Sequence, residues 1–99
     1  MSVLVVMTVP GDTATFESFM AANPDRVLAL TEKAKAAGCR AHRFAVGAGE
    51  IVVVDEWDSA EQFQTFFGAA EIQTVVGEMG AQGEPRITFA NAKVFPGQF

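Results

Sequence analysis

Ninety-nine residues are the size of one domain, 1–99, able to bury a single modest core. Hydrophobic residues make up 49% and charged residues 19%, which excludes a disordered chain. A net charge of -5 argues against nucleic acid and anionic membrane as partners, because both select clustered Lys and Arg. The lone cysteine, Cys39, allows no internal disulfide and reads as a small core residue, so a cytoplasmic location is expected. No apolar run approaches the ~20 residues of a spanning helix.

Ser2 to Val9 (SVLVVMTV) is apolar at nearly every position and is predicted as the first strand. It lacks the positive flank and cleavage pattern of a signal peptide, and Pro10-Gly11-Asp12 ends it in a turn. Thr13 or Asp12 caps a helix predicted to run to Ala37, bent or broken near Asn23, since Asn23-Pro24-Asp25 is itself a helix start. Gly38 closes that helix. Cys39 to Val46 is the second strand, and Gly47-Ala48-Gly49 suits a bulged three-residue hairpin loop. Glu50 to Trp57 is the third strand. Ser59 with Gln62 forms a capping box for a second helix carrying Phe63, Phe66 and Phe67, and Ile72, Val75, Val76 and Met79 extend it as a further helical piece. Arg86 to Phe95 is the last strand.

The order β-α-β-β-α-β predicts a ferredoxin-like α+β fold with a four-stranded antiparallel sheet, the first and third strands at its centre. Those are the two all-apolar runs, Ser2–Val9 and Ile51–Val54. A strand apolar on both sides needs cover on both faces. The helices suffice for one; a second copy of the chain is expected on the other. Arg40, Arg43, Arg86 and Lys93 fall on the outer strands, where charge discourages stray pairing.

His42, the only histidine, lies mid-strand. Across the hairpin it faces Val54 if the loop holds three residues and Asp55 if it holds two. Only the second register makes a His42–Asp55 pair able to orient the imidazole as a base. Of Asp55, Glu56 and Asp58, one is expected to point inward and to need a partner such as Arg40, Arg43 or His42. Trp57 is either a core plug or the wall of a pocket for a flat ligand. Phe16, Phe19, Phe63, Phe66 and Phe67 are spaced as helix faces on the sheet: core first, pocket lining second. One Cys and one His cannot make a structural zinc site, and GxGxxG, P-loop and GxSxG patterns are absent, so no cofactor is expected.

The layout and the segment Asp55-Glu56-Trp57-Asp58-Ser59-Ala60-Glu61-Gln62-Phe63 resemble the dimeric α+β barrel superfamily, in particular its antibiotic-biosynthesis-monooxygenase branch. The resemblance implies a homodimer joined through its sheet faces and a ligand cavity between sheet and helices in each subunit. It carries over Trp57 and, with it, Asn23, although Asn23 also reads as a helix cap. His42 matches no family motif. Members that degrade haem or act on quinols carry a helical histidine a turn or two after the Trp; Gln64, Thr65, Phe66 and Phe67 stand there in this chain.

Three functions stay open. One is a cofactor-independent monooxygenase of a small aromatic compound, with His42 or Asp55 taking the proton and Trp57, Phe63, Phe66, Phe67, Phe19 and Asn23 holding the ligand. Another is a non-catalytic ligand-binding or regulatory dimer with the same pocket; a purely structural interaction protein with a filled core is the third. A cavity of about 300 Å³ or more, the lower end for small-molecule sites, would favour the first two.

Overall fold

Strand β1 (Val3–Pro10) sits at the centre of a four-stranded sheet in the computed structural model, which describes residues 2–99. It is followed by α1 (Thr13–Ala22), α2 (Pro24–Ala37), β2 (Cys39–Gly47), β3 (Glu50–Trp57), α3 (Ala60–Gly68), α4 (Ala70–Glu78) and β4 (Arg86–Asn91). The sheet order is β2-β3-β1-β4 and every pairing is antiparallel. This is the ferredoxin-like arrangement, with each crossover made of two helices, and the strands bearing Arg40, Arg43 and Arg86 at the edges.

The first crossover breaks where the sequence places the break. Pro24 lacks an N–H and disfavours helical geometry at the residue before it. Asn23 accordingly leaves the helix (φ -130, ψ 48), and its side-chain amide donates to the Phe19 carbonyl at 3.0 Å. Asp12 caps α1 by accepting from the Ala14 and Thr15 amides, and Ser59 caps α3 by accepting from the Gln62 amide. No described helix is long and apolar enough to cross a membrane.

Two expectations need correction. The hairpin loop is Ala48-Gly49, two residues, with Gly47 still paired to Glu50 and Gly49 taking the positive φ of 68°. The last strand stops at Asn91, short of Phe95. Asn91 pairs with Val3 as the last pair of the ladder, and the Ala92 N–H beyond it donates to Ser2 O.

The two faces of the sheet differ sharply. Val3, Val5, Met7 and Val9 from β1 and Ile51, Val53, Asp55 and Trp57 from β3 are buried beneath the helices. The other face carries three rows across the strands: Ala41–Glu56–Leu4–Ala90, Arg43–Val54–Val6–Thr88 and Ala45–Val52–Thr8–Arg86. Leu4, Val6 and Val54 at its middle are each 40% exposed. Both strands are apolar on both sides, as read from the sequence, and the four helices cover one.

Candidate functional site: a histidine–aspartate–tryptophan chain in an apolar cavity

The register Gly47↔Glu50 sets His42 opposite Asp55 on the helix-covered face. The two-residue loop alone sets this pair, and an irregularity lies just beyond it. The ladder shifts between Cys39 and Ala41, so Arg40 is an extra residue in β2. Alternation alone would send Cys39 and His42, three positions apart, to opposite faces. With Arg40 bulged out, Cys39 faces Trp57 on the same side of the sheet as His42 and Asp55, Cys39 buried and His42 partly open to solvent. Arg40 turns to solvent and pairs with Asp58.

His42 Nδ1 lies 2.6 Å from Asp55 Oδ1, and the Trp57 indole N–H donates to Asp55 Oδ2 at 3.0 Å. Asp55 is only 5% exposed, and both of its oxygens are engaged. Among the described residues no buried side-chain polar atom lacks a partner. A carboxylate accepts and does not donate, so the shared proton belongs on Nδ1 and Nε2 is left as the nitrogen with a free lone pair. Trp57 is 1% exposed, which fixes its N–H and with it the plane of the carboxylate. The Phe44 ring packs edge-on against the imidazole at 4.4 Å.

This chain forms part of the wall of a cavity of about 180 Å³ between the sheet and α2, α3 and α4. Trp57, Phe63, Phe66 and Phe67 line it on one side, and Leu30 and Val75 on another. Phe63 is held by a stacked Phe67 at 5.5 Å and by Trp57 and Phe89 edge-on at 5.6 and 5.8 Å. The volume falls short of the ~300 Å³ typical of small-molecule sites. Cys39 also lines it, its Sγ donating to the Ala41 carbonyl at 3.4 Å. Burial, and then the negative charge of Asp55, push its thiol up to about 11. Among the described residues no group of three or more His, Cys, Asp or Glu is placed to hold a metal ion.

His42, Asp55, Trp57, Phe63, Phe66 and Phe67 are thus brought together around one space. Phe19 and Asn23 are not. Phe19 is buried with Arg26 over its ring at 5.2 Å, and Asn23 is spent on the break between α1 and α2, so neither reaches the cavity wall. The sequence reading missed Phe44 and Cys39 as lining residues, gave Phe16 pocket lining only as a second reading, and took Met79 and Ile72 only as a helix face. Their helical spacing announced burial, but nothing in it announced a void.

No family model matches the chain, and no curated protein matches it. Solved structures do. A monooxygenase from the gene ActVA-Orf6 of Streptomyces coelicolor, crystallised with nanaomycin D, superposes with a TM-score of 0.66 at 21% identity, over 96% of this chain and 92% of that one. A protein assigned to the antibiotic biosynthesis monooxygenases from Caulobacter crescentus CB15 gives 0.62 at 23% identity over 94% and 91%. Another so assigned, from Bordetella bronchiseptica, gives 0.68 at 16% identity over 94% and 98%. The chain therefore has the ferredoxin-like α+β fold of the antibiotic-biosynthesis-monooxygenase-like proteins.

Proposed function

We propose that the protein is a cofactor-independent monooxygenase of a small phenolic compound, acting as a homodimer. The observation that carries this is the Trp57–Asp55–His42 chain, set in the wall of an otherwise apolar cavity with Nε2 left free to accept a proton. The likeness in fold to a monooxygenase crystallised with a ligand supports it further.

Nε2 takes the phenolic proton as the O–H bond breaks, and the Asp55 carboxylate holds the resulting imidazolium. The apolar walls give the phenolate no water to stabilise it, which favours electron transfer to dioxygen. The ring radical and superoxide then join at the para carbon, and the imidazolium returns its proton to the peroxide. Loss of the para C–H proton to Nε2 with O–O cleavage yields the para-quinone. The departing hydroxide takes that proton and leaves as water. Phenol and dioxygen thus become quinone and water, and dioxygen accepts all the electrons the ring loses.

The partner in this proposal is a second copy of the chain, laid against the open sheet face. Leu4, Val6, Val52 and Val54 form an apolar centre there, and Arg43 and Glu56 supply opposite charges that a two-fold axis can bring together. A lone buried thiol supports a cytoplasmic location as part of this reading.

Oxygen consumption by the purified protein with phenols and quinols is the test, with quinone formation followed by absorbance. Uptake that falls in His42→Ala supports the proposal. No uptake, or uptake indifferent to both His42→Ala and Asp55→Ala, removes it. Ligand binding without uptake would leave a non-catalytic binding protein.

A further inference from the structure

We propose that the cavity selects an uncharged, single-ring phenol and rejects fused-ring and anionic aromatics; this names the substrate class of the site above and rests on its assignment as a phenol site.

Size is the first ground. An apolar cavity of about 150 Å³ is known to take one benzene ring. At about 180 Å³ this one holds a single ring with a hydroxyl and a small substituent. The wall cannot retreat cheaply on the α3 side, because Phe63 is clamped between Phe67, Trp57 and Phe89. Surface ion pairs Arg26–Glu78 and Lys33–Glu71 also join α2 to α4, a small addition to that restraint.

Polarity is the second. Most side chains on the wall are hydrocarbon, and the polar ones are already engaged. Thr31 donates its hydroxyl to the Val27 carbonyl at 3.0 Å. The two cations at the rim are also committed, Lys35 to Glu32 at 3.2 Å and Arg40 to Asp58. Among the described lining residues no unpaired Lys or Arg waits for a carboxylate or sulfate on the ligand. The buried Asp55 opposes any negative charge brought near it. What remains is one acceptor, Nε2 of His42, at one place on a greasy wall. A ligand with one hydroxyl and no charge leaves nothing unpaired there, whereas a charged group would be buried without a partner.

One histidine and one tryptophan in the chain make the test clean, since every imidazole or indole signal reports on this wall. The full-length protein is titrated under anaerobic conditions with phenol, 1-naphthol and 4-hydroxybenzoate, following the His42 imidazole by NMR and Trp57 by fluorescence. Phenol is expected to move both signals and to bind about ten-fold or more tightly than 1-naphthol, as overpacking an apolar wall implies. 4-Hydroxybenzoate is expected to leave both signals in place at the same concentration. Phe66→Ala, which widens the cavity, is expected to admit 1-naphthol. Equal or tighter binding of 1-naphthol or 4-hydroxybenzoate by the wild-type protein overturns the selection, even with oxygen uptake intact. Phenol binding without oxygen uptake leaves the selection standing and removes the catalytic reading. No response to any of the three overturns both.

Discussion

Trp57 reaches His42 without touching it: the indole N–H holds one oxygen of Asp55 at 3.0 Å, and the other oxygen holds the imidazole Nδ1 at 2.6 Å. Orientation of the base is therefore set two side chains away, by the most deeply buried aromatic in the core. Whatever the cavity binds meets an imidazole whose rotation and tautomer are already fixed.

Asp55→Asn separates orientation from charge. The amide oxygen can still accept from Trp57, but its NH₂ group then donates to Nδ1 and forces the proton onto Nε2. The nitrogen left to a substrate loses its lone pair. Oxygen uptake with a phenol is expected to fall by about 10²- to 10⁴-fold, the range general-base catalysis contributes. Unfolding in urea should shift little, and nitrogen NMR of His42 should report the exchanged tautomer.

Trp57→Phe removes the donor to Asp55 Oδ2 and leaves a gap in the core. A buried carboxylate oxygen without its partner costs about 1–3 kcal/mol, and lost aromatic volume adds to that. The urea midpoint should drop accordingly. The His42 resonance should broaden or move even in folded protein, because Asp55 is free to rotate; an unmoved resonance would mean the indole does not position it.

Val54→Glu addresses the open face. Val54 lies beside Val6 and Arg43 in the middle row, on the side away from the helices. The wild-type protein is expected to sediment as a dimer at micromolar concentration and Val54→Glu as a folded monomer, since a charge at the centre of an apolar interface is buried unpaired. A wild-type monomer, or a mutant dimer of unchanged strength, would contradict sheet-face association.

Cys39 offers a pH-dependent check. Its thiol is raised from 9.0 to about 11 in the folded protein, by burial first and the charge of Asp55 second. The folded state thus retains the proton more strongly than the unfolded chain. Stability from this group is complete below the unfolded value and is lost as pH climbs from about 9 through about 11. The thiolate is the reactive form, so iodoacetamide at pH 8 should modify native protein about 100-fold more slowly than urea-unfolded protein, as mass spectrometry would resolve.

What the sequence determined by itself was the set of elements and their order. Val, Ile and Leu on both sides of two strands identify the central pair, because nothing else tolerates so little alternation. Pro24 and the Ser59 cap place breaks and starts by local chemistry that needs no tertiary context. The aromatic stripe Phe63, Phe66 and Phe67 marked a buried helix face for the same reason. Tertiary structure alone decided the site. Whether His42 meets Asp55 depends on a two-residue loop, and whether Cys39 shares their face depends on one bulged residue, Arg40, because a one-residue change of register reverses the face on which a side chain lands. The end of β4 at Asn91 and the exclusion of Phe19 and Asn23 from the wall are also matters of tertiary packing. A void is likewise invisible to periodicity: it is the volume left over when helices and sheet have each satisfied their own packing, and only their mutual distance sets it.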